Sequence, residues 1–183
     1  QGDEHDENYV EEIKELARIR EVDLHLISER VASVRGTDTE GRMLFTNRDV
    51  LANADVVTYL PIWEGFGNAF LEAIAARVPV AISTYLVYKT DLKILGFENI
   101  EIIDRYNDNG SLLIPDTAVE QMYSVLTNPG VREEMVEHNY QIGRTIFGMK
   151  TLETLLRGVL DDYGDEIRAS RKRIKKSKAL YSV

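Results

Sequence analysis

The sequence predicts an α/β fold: a Rossmann-like, doubly wound parallel sheet with helices on both faces. Three observations predict it. Segments of strand character alternate with segments of helical periodicity along most of the chain. Two of the strand segments, Asp55 to Leu60 and Pro79 to Ser83, are compact apolar runs of the kind found in strands covered on both faces. The connections are short and rich in turn residues, which suits crossovers between neighbouring parallel strands.

Taken in order, Tyr9, Val10, Ile13, Leu16 and Ala17 recur at three- and four-residue spacing and predict an amphipathic helix from Glu7 to Arg20. Val22, Leu24 and Leu26 alternate with Asp23 and His25, the pattern of a short strand ending near Ile27, with His25 on its solvent side. The polar stretch from Val34 to Met43 reads as an exposed loop, and a short helix capped by Asn47 should run to Asn53. The Asp55–Leu60 strand follows. Ala69 to Ala76 is helical and apolar on nearly every side, so it is expected in the interior. After the Pro79–Ser83 strand come a helical turn at Asp91–Leu95, a strand at Asn99–Ile103 and a turn at Asn107-Asp108-Asn109-Gly110. Asp116 is placed to cap a helix to about Leu126, and two more helices are expected at Val131–Phe147 and Thr151–Asp161.

Composition narrows the function. At 183 residues and 44 % hydrophobic, the chain can bury one continuous core. No run approaches the ~18 apolar residues of a membrane span, and the acidic opening is unlike a secretory signal, so a soluble, cytoplasmic protein is expected. The absence of cysteine removes disulfides, zinc-thiolate sites and thiol nucleophiles. A formal charge of −9 opposes nucleic-acid binding, which needs a basic face. The charge is uneven. From Gly164 onward Arg168, Arg171, Lys172, Arg173, Lys175, Lys176 and Lys178 stand against Asp165 and Glu166, a balance of +5 that leaves −14 for the rest. Such a run reads first as a solvated tail or helix face.

In parallel α/β sheets ligands sit beyond the carboxyl ends of the strands, which directs attention to the loop after Leu60. It reads Pro61-Ile62-Trp63-Glu64-Gly65-Phe66-Gly67-Asn68-Ala69-Phe70-Leu71-Glu72-Ala73-Ile74. Two glycines bracket an aromatic residue and let the backbone approach a ligand closely. A helix start follows at once, and its free N–H groups near Asn68, Ala69 and Phe70, with the helix dipole, suit a diphosphate. Glu72, set among apolar residues, is expected to be buried and therefore to need hydrogen-bond donors. Glu64 stands at the loop mouth, near where a sugar would lie. Eight positions separate the two carboxylates, so a ligand spanning both is longer than one sugar. The same residues also fit a plain strand-to-helix turn with Glu72 paired to Arg77 or a distant lysine.

These residues resemble the Glu-x7-Glu signature of family 4 of the retaining nucleotide-sugar glycosyltransferases, which have the two-domain GT-B fold. The resemblance includes the lead-in Ala54-Asp55-Val56-Val57, the core Glu64-Gly65-Phe66-Gly67 and Leu71-Glu72-Ala73. It extends to Arg77-Val78-Pro79-Val80-Ala81, to Asn109-Gly110-Ser111-Leu112-Leu113-Ile114-Pro115 and to Asn128-Pro129-Gly130-Val131-Arg132-Glu133-Glu134-Met135. It covers roughly residues 1 to 160.

The resemblance implies that residues 1–163 form a nucleotide-sugar-binding domain followed by a basic helix or tail, 164–183. It implies a catalytic Glu64 facing the transferred hexose, with backbone groups of Gly65, Phe66 and Gly67 on sugar hydroxyls. Asn68, Ala69 and Phe70 would hold the distal phosphate, Glu72 the ribose, and Ser28, Glu29, Arg30 and Val31 would line the base pocket. The donor is a nucleoside diphosphate sugar, the configuration is retained, and no cofactor or metal is implied; no Asp-x-Asp pair stands beside the loop. Leu60-Pro61 departs from the family's usual Pro-Ser at this point. Gln1-Gly2-Asp3 resembles the loop after the domain's second strand, so the first strand, two phosphate-binding cations and the acceptor-binding domain are expected upstream. The isolated chain is then expected to be inactive. Two other functions fit less of the pattern: a GT-B nucleotide-sugar epimerase, and a noncatalytic nucleotide-sugar-binding domain. Trp63 and Tyr59 read first as packing residues. Tyr85, Tyr88 and Asp91 are either the far wall of the site or a plain loop.

Overall fold

The structure is a computed structural model that describes residues 7–103, 106–108 and 110–180. The glycine-containing opening at Gln1–Asp3 and the turn residue Asn109 lie outside the described residues. The chain divides into two compact units, one up to Ala54 and one from Asp55 onward.

The first unit opens with α1, Glu7–Ile19, as its periodicity predicts. Exposed pairs Glu11–Lys14 and Glu15–Arg18 line its surface one turn apart and contribute little to stability. Val22 to Ile27 form no strand, contrary to the alternating pattern. Val22, Leu24, Leu26 and Ile27 are exposed, and no described strand lies against them to complete a ladder. His25 does face solvent, beside Asp23. The segment read as an open loop contains a small antiparallel hairpin, β1 (Gly36–Thr37) with β2 (Met43–Leu44). Its turn closes on Asp38, whose carboxylate accepts from the N–H groups of Glu40 and Arg42 and from the Arg42 guanidinium. Helix α2, Asn47–Leu51, is capped by Thr46 rather than Asn47. Thr46 and Asp49 satisfy each other's backbone N–H groups, the reciprocal arrangement that fixes a helix start.

The second unit is built on three parallel strands in the order β3 (Val57–Tyr59), β4 (Val80–Ser83), β5 (Ile100–Ile102). All four residues of the central strand are buried. Its pleat sends Val80 and Ile82 into one core with Phe70, Ala73, Ile74, Tyr85, Tyr88, Leu92 and Phe97. Ala81 goes to the opposite core with Ile100, Ile102, Ala118 and Val125. Helices α3 (Asn68–Ala75) and α4 (Asp116–Thr127) supply these two cores, so the sheet is covered on both faces as predicted. Between β4 and β5 the expected short turn is longer, a wide turn at Tyr88–Leu92 followed by a tight one at Lys93–Leu95.

Asp116 lies inside the first turn of α4, after Pro115, and does not cap it through its side chain. Helix α5, Pro129–Phe147, starts on Asn128, whose side chain accepts from Gly130 and Val131, with proline at the first helical position. Its buried Asn139 accepts from the Glu98 N–H at 2.8 Å and donates to the Glu98 carbonyl at 2.6 Å, pinning the approach to β5. The final helix, α6, is continuous over Met149–Leu180, far beyond the Thr151–Asp161 that periodicity indicates. It carries Arg168, Arg171, Lys172 and Arg173 on exposed helix surface.

Candidate functional site

The loop from Leu60 to Gly67 joins the carboxyl end of β3 to the start of α3. Buried Ser83, the last residue of β4, donates to the Pro61 carbonyl at 2.7 Å and ties the loop to the sheet. No sequence signal singled out Ser83, because its partner is 22 positions away.

Glu64 is held inside this loop. The Tyr59 hydroxyl donates to one carboxylate oxygen at 2.6 Å, and the Phe66 N–H donates to the other at 3.1 Å. Tyr59 first, then the Phe66 amide, hold the carboxyl below its usual range, with smaller help from the amides of Gly65 and Gly67 and against partial desolvation. Tyr59 moves the opposite way, pushed up mainly by burial and then by the Glu64 charge. At neutral pH the pair is therefore a phenol donor and an ionised acceptor. A carboxylate has room for about four hydrogen bonds, so acceptor sites remain for a ligand.

Replacing Tyr59 by phenylalanine should shift the Glu64 pKa upward, toward the ordinary carboxylate range, read by NMR titration of the side-chain carboxyl carbon. Because the folded-state value is depressed, the stability it contributes is complete above the ordinary carboxylate range, about pH 4.3, and is lost as pH falls through the folded value. The stability gap between the wild type and Tyr59→Phe should accordingly narrow in acid. A Glu64 titration unmoved by the substitution would show that the phenol does not hold the carboxylate.

Gly67 is the N-cap of α3, with φ 104° and ψ 49°, and no side chain caps the helix. The first turn holds no acidic residue. Its N–H groups at Asn68, Ala69 and Phe70 precede the first intrahelical bond, from Leu71 to Gly67, and point off the helix end. Below Gly67 sit three packed aromatics: Tyr59 meets Tyr85 edge-on at 6.2 Å, and Tyr85 lies 6.0 Å from Tyr88. Tyr85 and Tyr88 are buried and Asp91 is exposed, so the segment expected as a far wall or plain loop underlies the site instead.

Helix α3 is buried on one side only, through Phe70, Ala73 and Ile74, and Glu72 is exposed. An exposed Glu72 keeps its contact with water, so burial imposes no need for donors; it shares the outer face of α3 with Asn68, four residues earlier. The Arg77 guanidinium meets Glu137 at 3.0 Å and lies 3.8 Å over the Tyr140 ring. Trp63 is not a packing residue, being 83 % exposed, whereas Tyr59 does pack. Phe66 is half exposed and touches Phe147 at the end of α5, 5.9 Å away and edge-on. Ser28, Glu29 and Arg30 form a tight helical turn in the first unit, with Val31 closing it. Among the described residues no group of His, Asp or Glu has the makings of a metal site, and no helix is long and apolar enough to cross a membrane.

The chain is 36 % identical over 156 residues to mannosylglucosylglycerate synthase of Thermotoga maritima, a match covering 82 % of this chain and 34 % of that protein. It is 35 % identical over 150 residues to the protein of the same name from Petrotoga mobilis, covering 78 % of this chain and 34 % of the relative. The chain is homologous to a segment of glycosyltransferases. It spans about a third of the length of the curated relatives it matches. No family model matches the sequence, and no solved structure does. With glycosyltransferase relatives in hand, the ionised Glu64 and the uncapped start of α3 gain a chemical context.

Proposed function

We propose that the chain is the nucleotide-sugar-binding part of a retaining glycosyltransferase with the GT-B architecture. The observation that carries this reading is the loop itself: an ionised carboxylate, Glu64, beside the uncapped N-terminus of α3 at the carboxyl ends of β3 and β4. The glycosyltransferase relatives support it. In this reading Asn68, Ala69 and Phe70 present N–H groups and the positive helix end to the diphosphate. Charge builds up there as the sugar–phosphate bond breaks, so donors already aimed at that oxygen lower the barrier. Glu64 accepts from sugar hydroxyls and stabilises the reacting end of the hexose, while Gly65, Phe66 and Gly67 shape the wall against it. Glu72, on the outer face of α3, accepts from the ribose. The donor is a nucleoside diphosphate hexose, with no further cofactor. Acceptor binding is assigned to the part of the relatives that the chain does not span. The mannosyl element in the relatives' name makes mannose conjugates the first donors to try.

The test is a titration of the chain, by NMR or calorimetry, with uridine, guanosine and adenosine diphosphates and their glucose and mannose conjugates. One base is expected to bind best, and Glu72→Ala to weaken it about tenfold, the loss of hydrogen bonds to a charged acceptor. Silence across the panel at millimolar ligand, in this chain and in one extended to the length of its relatives, would end the donor-site reading.

A further inference from the structure

Three tyrosines are packed beneath the loop, and two of their hydroxyls are satisfied. Tyr59 donates to Glu64 at 2.6 Å. Tyr88 donates to Glu101 at 2.9 Å and accepts from Asn99 at 3.2 Å. The Tyr85 hydroxyl is different: it is buried and has no hydrogen-bond partner. A buried polar group without a partner loses its bonds to water and gains nothing in return, and such groups are rare enough in folded proteins to call for a cause. The ring has little freedom to turn away, since Tyr59 and Tyr88 pack against it. Its hydroxyl is aimed at the start of α3, lying 2.6 Å from the point where a β-carbon on Gly67 would stand. Only the absence of that carbon lets it come so close.

We infer that the Tyr85 hydroxyl is a reserved hydrogen-bond donor for a phosphate oxygen bound at the N-terminus of α3. The inference rests on the reading that this helix end takes the donor diphosphate. Burial and the nearby Glu64 charge push the phenol up to about 12, so it keeps its proton and remains a donor at neutral pH. In the ligand-free state Gly67 covers the hydroxyl, and a small shift of the loop uncovers it. The unsatisfied group destabilises the covered state and so favours that shift. A phosphate oxygen then receives the helix N–H groups together with a neutral side-chain donor, which adds a hydrogen bond without adding charge.

This arrangement predicts an unusual pair of effects from Tyr85→Phe. Removing a hydroxyl that serves packing alone lowers stability, or leaves it unchanged, and does not touch ligand affinity. Here the free chain should become more stable, with a melting temperature higher by about 2 °C, because an orphaned polar group has gone. Affinity for inorganic pyrophosphate and for uridine and guanosine diphosphates should fall about tenfold, the loss of one hydrogen bond to a charged oxygen. Glu72→Ala should weaken the nucleotides and leave pyrophosphate unchanged, which separates the ribose contact from the phosphate contact. A lower melting temperature in Tyr85→Phe would mean that the hydroxyl has a partner in the free protein and would overturn the inference. Unchanged pyrophosphate affinity in a chain whose wild type binds pyrophosphate would overturn it too, leaving the donor-site reading intact. A wild type that binds neither pyrophosphate nor nucleotide would overturn both.

Discussion

Replacing Gly67 with alanine is expected to destabilise the protein by about 2–5 kcal/mol, measured by denaturant unfolding. Two separate causes combine. The backbone there is left-handed, at φ 104°, where a β-carbon crowds the following carbonyl at a cost of roughly 1–2 kcal/mol. The new carbon also meets the Tyr85 hydroxyl at 2.6 Å, Leu92 at 3.6 Å and Phe70 at 3.7 Å. The last two are ordinary contacts, but the Tyr85 hydroxyl is too close and cannot yield easily, since its ring is buried in the core, and overpacking of that kind typically costs about 1–3 kcal/mol. The control is Gly65→Ala in the same loop. Its nearest neighbour would be the exposed Trp63 ring, at 4.0 Å, and its φ is not positive, so its effect should stay within about 0.5 kcal/mol. Combining Gly67→Ala with Tyr85→Phe should recover the steric part and leave the backbone part. Equal effects at the two glycines would show that Gly67 is an ordinary loop residue.

In the complete enzyme, Glu64→Gln is expected to lower kcat about 10²–10³-fold, comparable to the loss of one preorganised group that stabilises transition-state charge. The change is nearly isosteric. It removes the negative charge and turns one acceptor oxygen into an NH2 donor, which faces either the Tyr59 hydroxyl or the Phe66 N–H. The loop thus loses its charge and its fixed geometry together. Affinity for the free nucleoside diphosphate should hardly move, because Glu64 is assigned to the sugar and the phosphates to α3. A fall in nucleotide affinity with kcat intact would reassign Glu64 from chemistry to binding.

The order of elements in the second unit was legible because burial leaves a periodic trace. The compact run Val80-Ala81-Ile82 is covered on both faces, whereas the similar run at β3 lies at the edge of the described sheet and is only half buried; the spacing through α5 marks its inner side. The candidate loop was legible for a related reason: two glycines before a helix are a local feature, read from adjacent residues. Local signals misled where the outcome depended on a neighbour. Val22 to Leu26 have the alternation of a strand, yet a strand is defined by its partner, and among the described residues none is there. Glu72 has apolar neighbours in sequence, but a helix turns about 100° per residue, so those neighbours face the core while Glu72 faces outward.

The sequence by itself therefore determined the α/β class, the run of strands and helices from Asp55 onward, and the position of a glycine-rich loop ahead of a helix. Tertiary structure alone decided what that loop can do. It brought Tyr59 to Glu64, Ser83 to Pro61 and the Tyr85 hydroxyl to Gly67. Each pairing joins groups from different elements or across a turn, and each depends on how β3, α3 and β4 pack. Periodicity records which face of an element meets the core; it carries no information about which polar atom on one element lies within 3 Å of another.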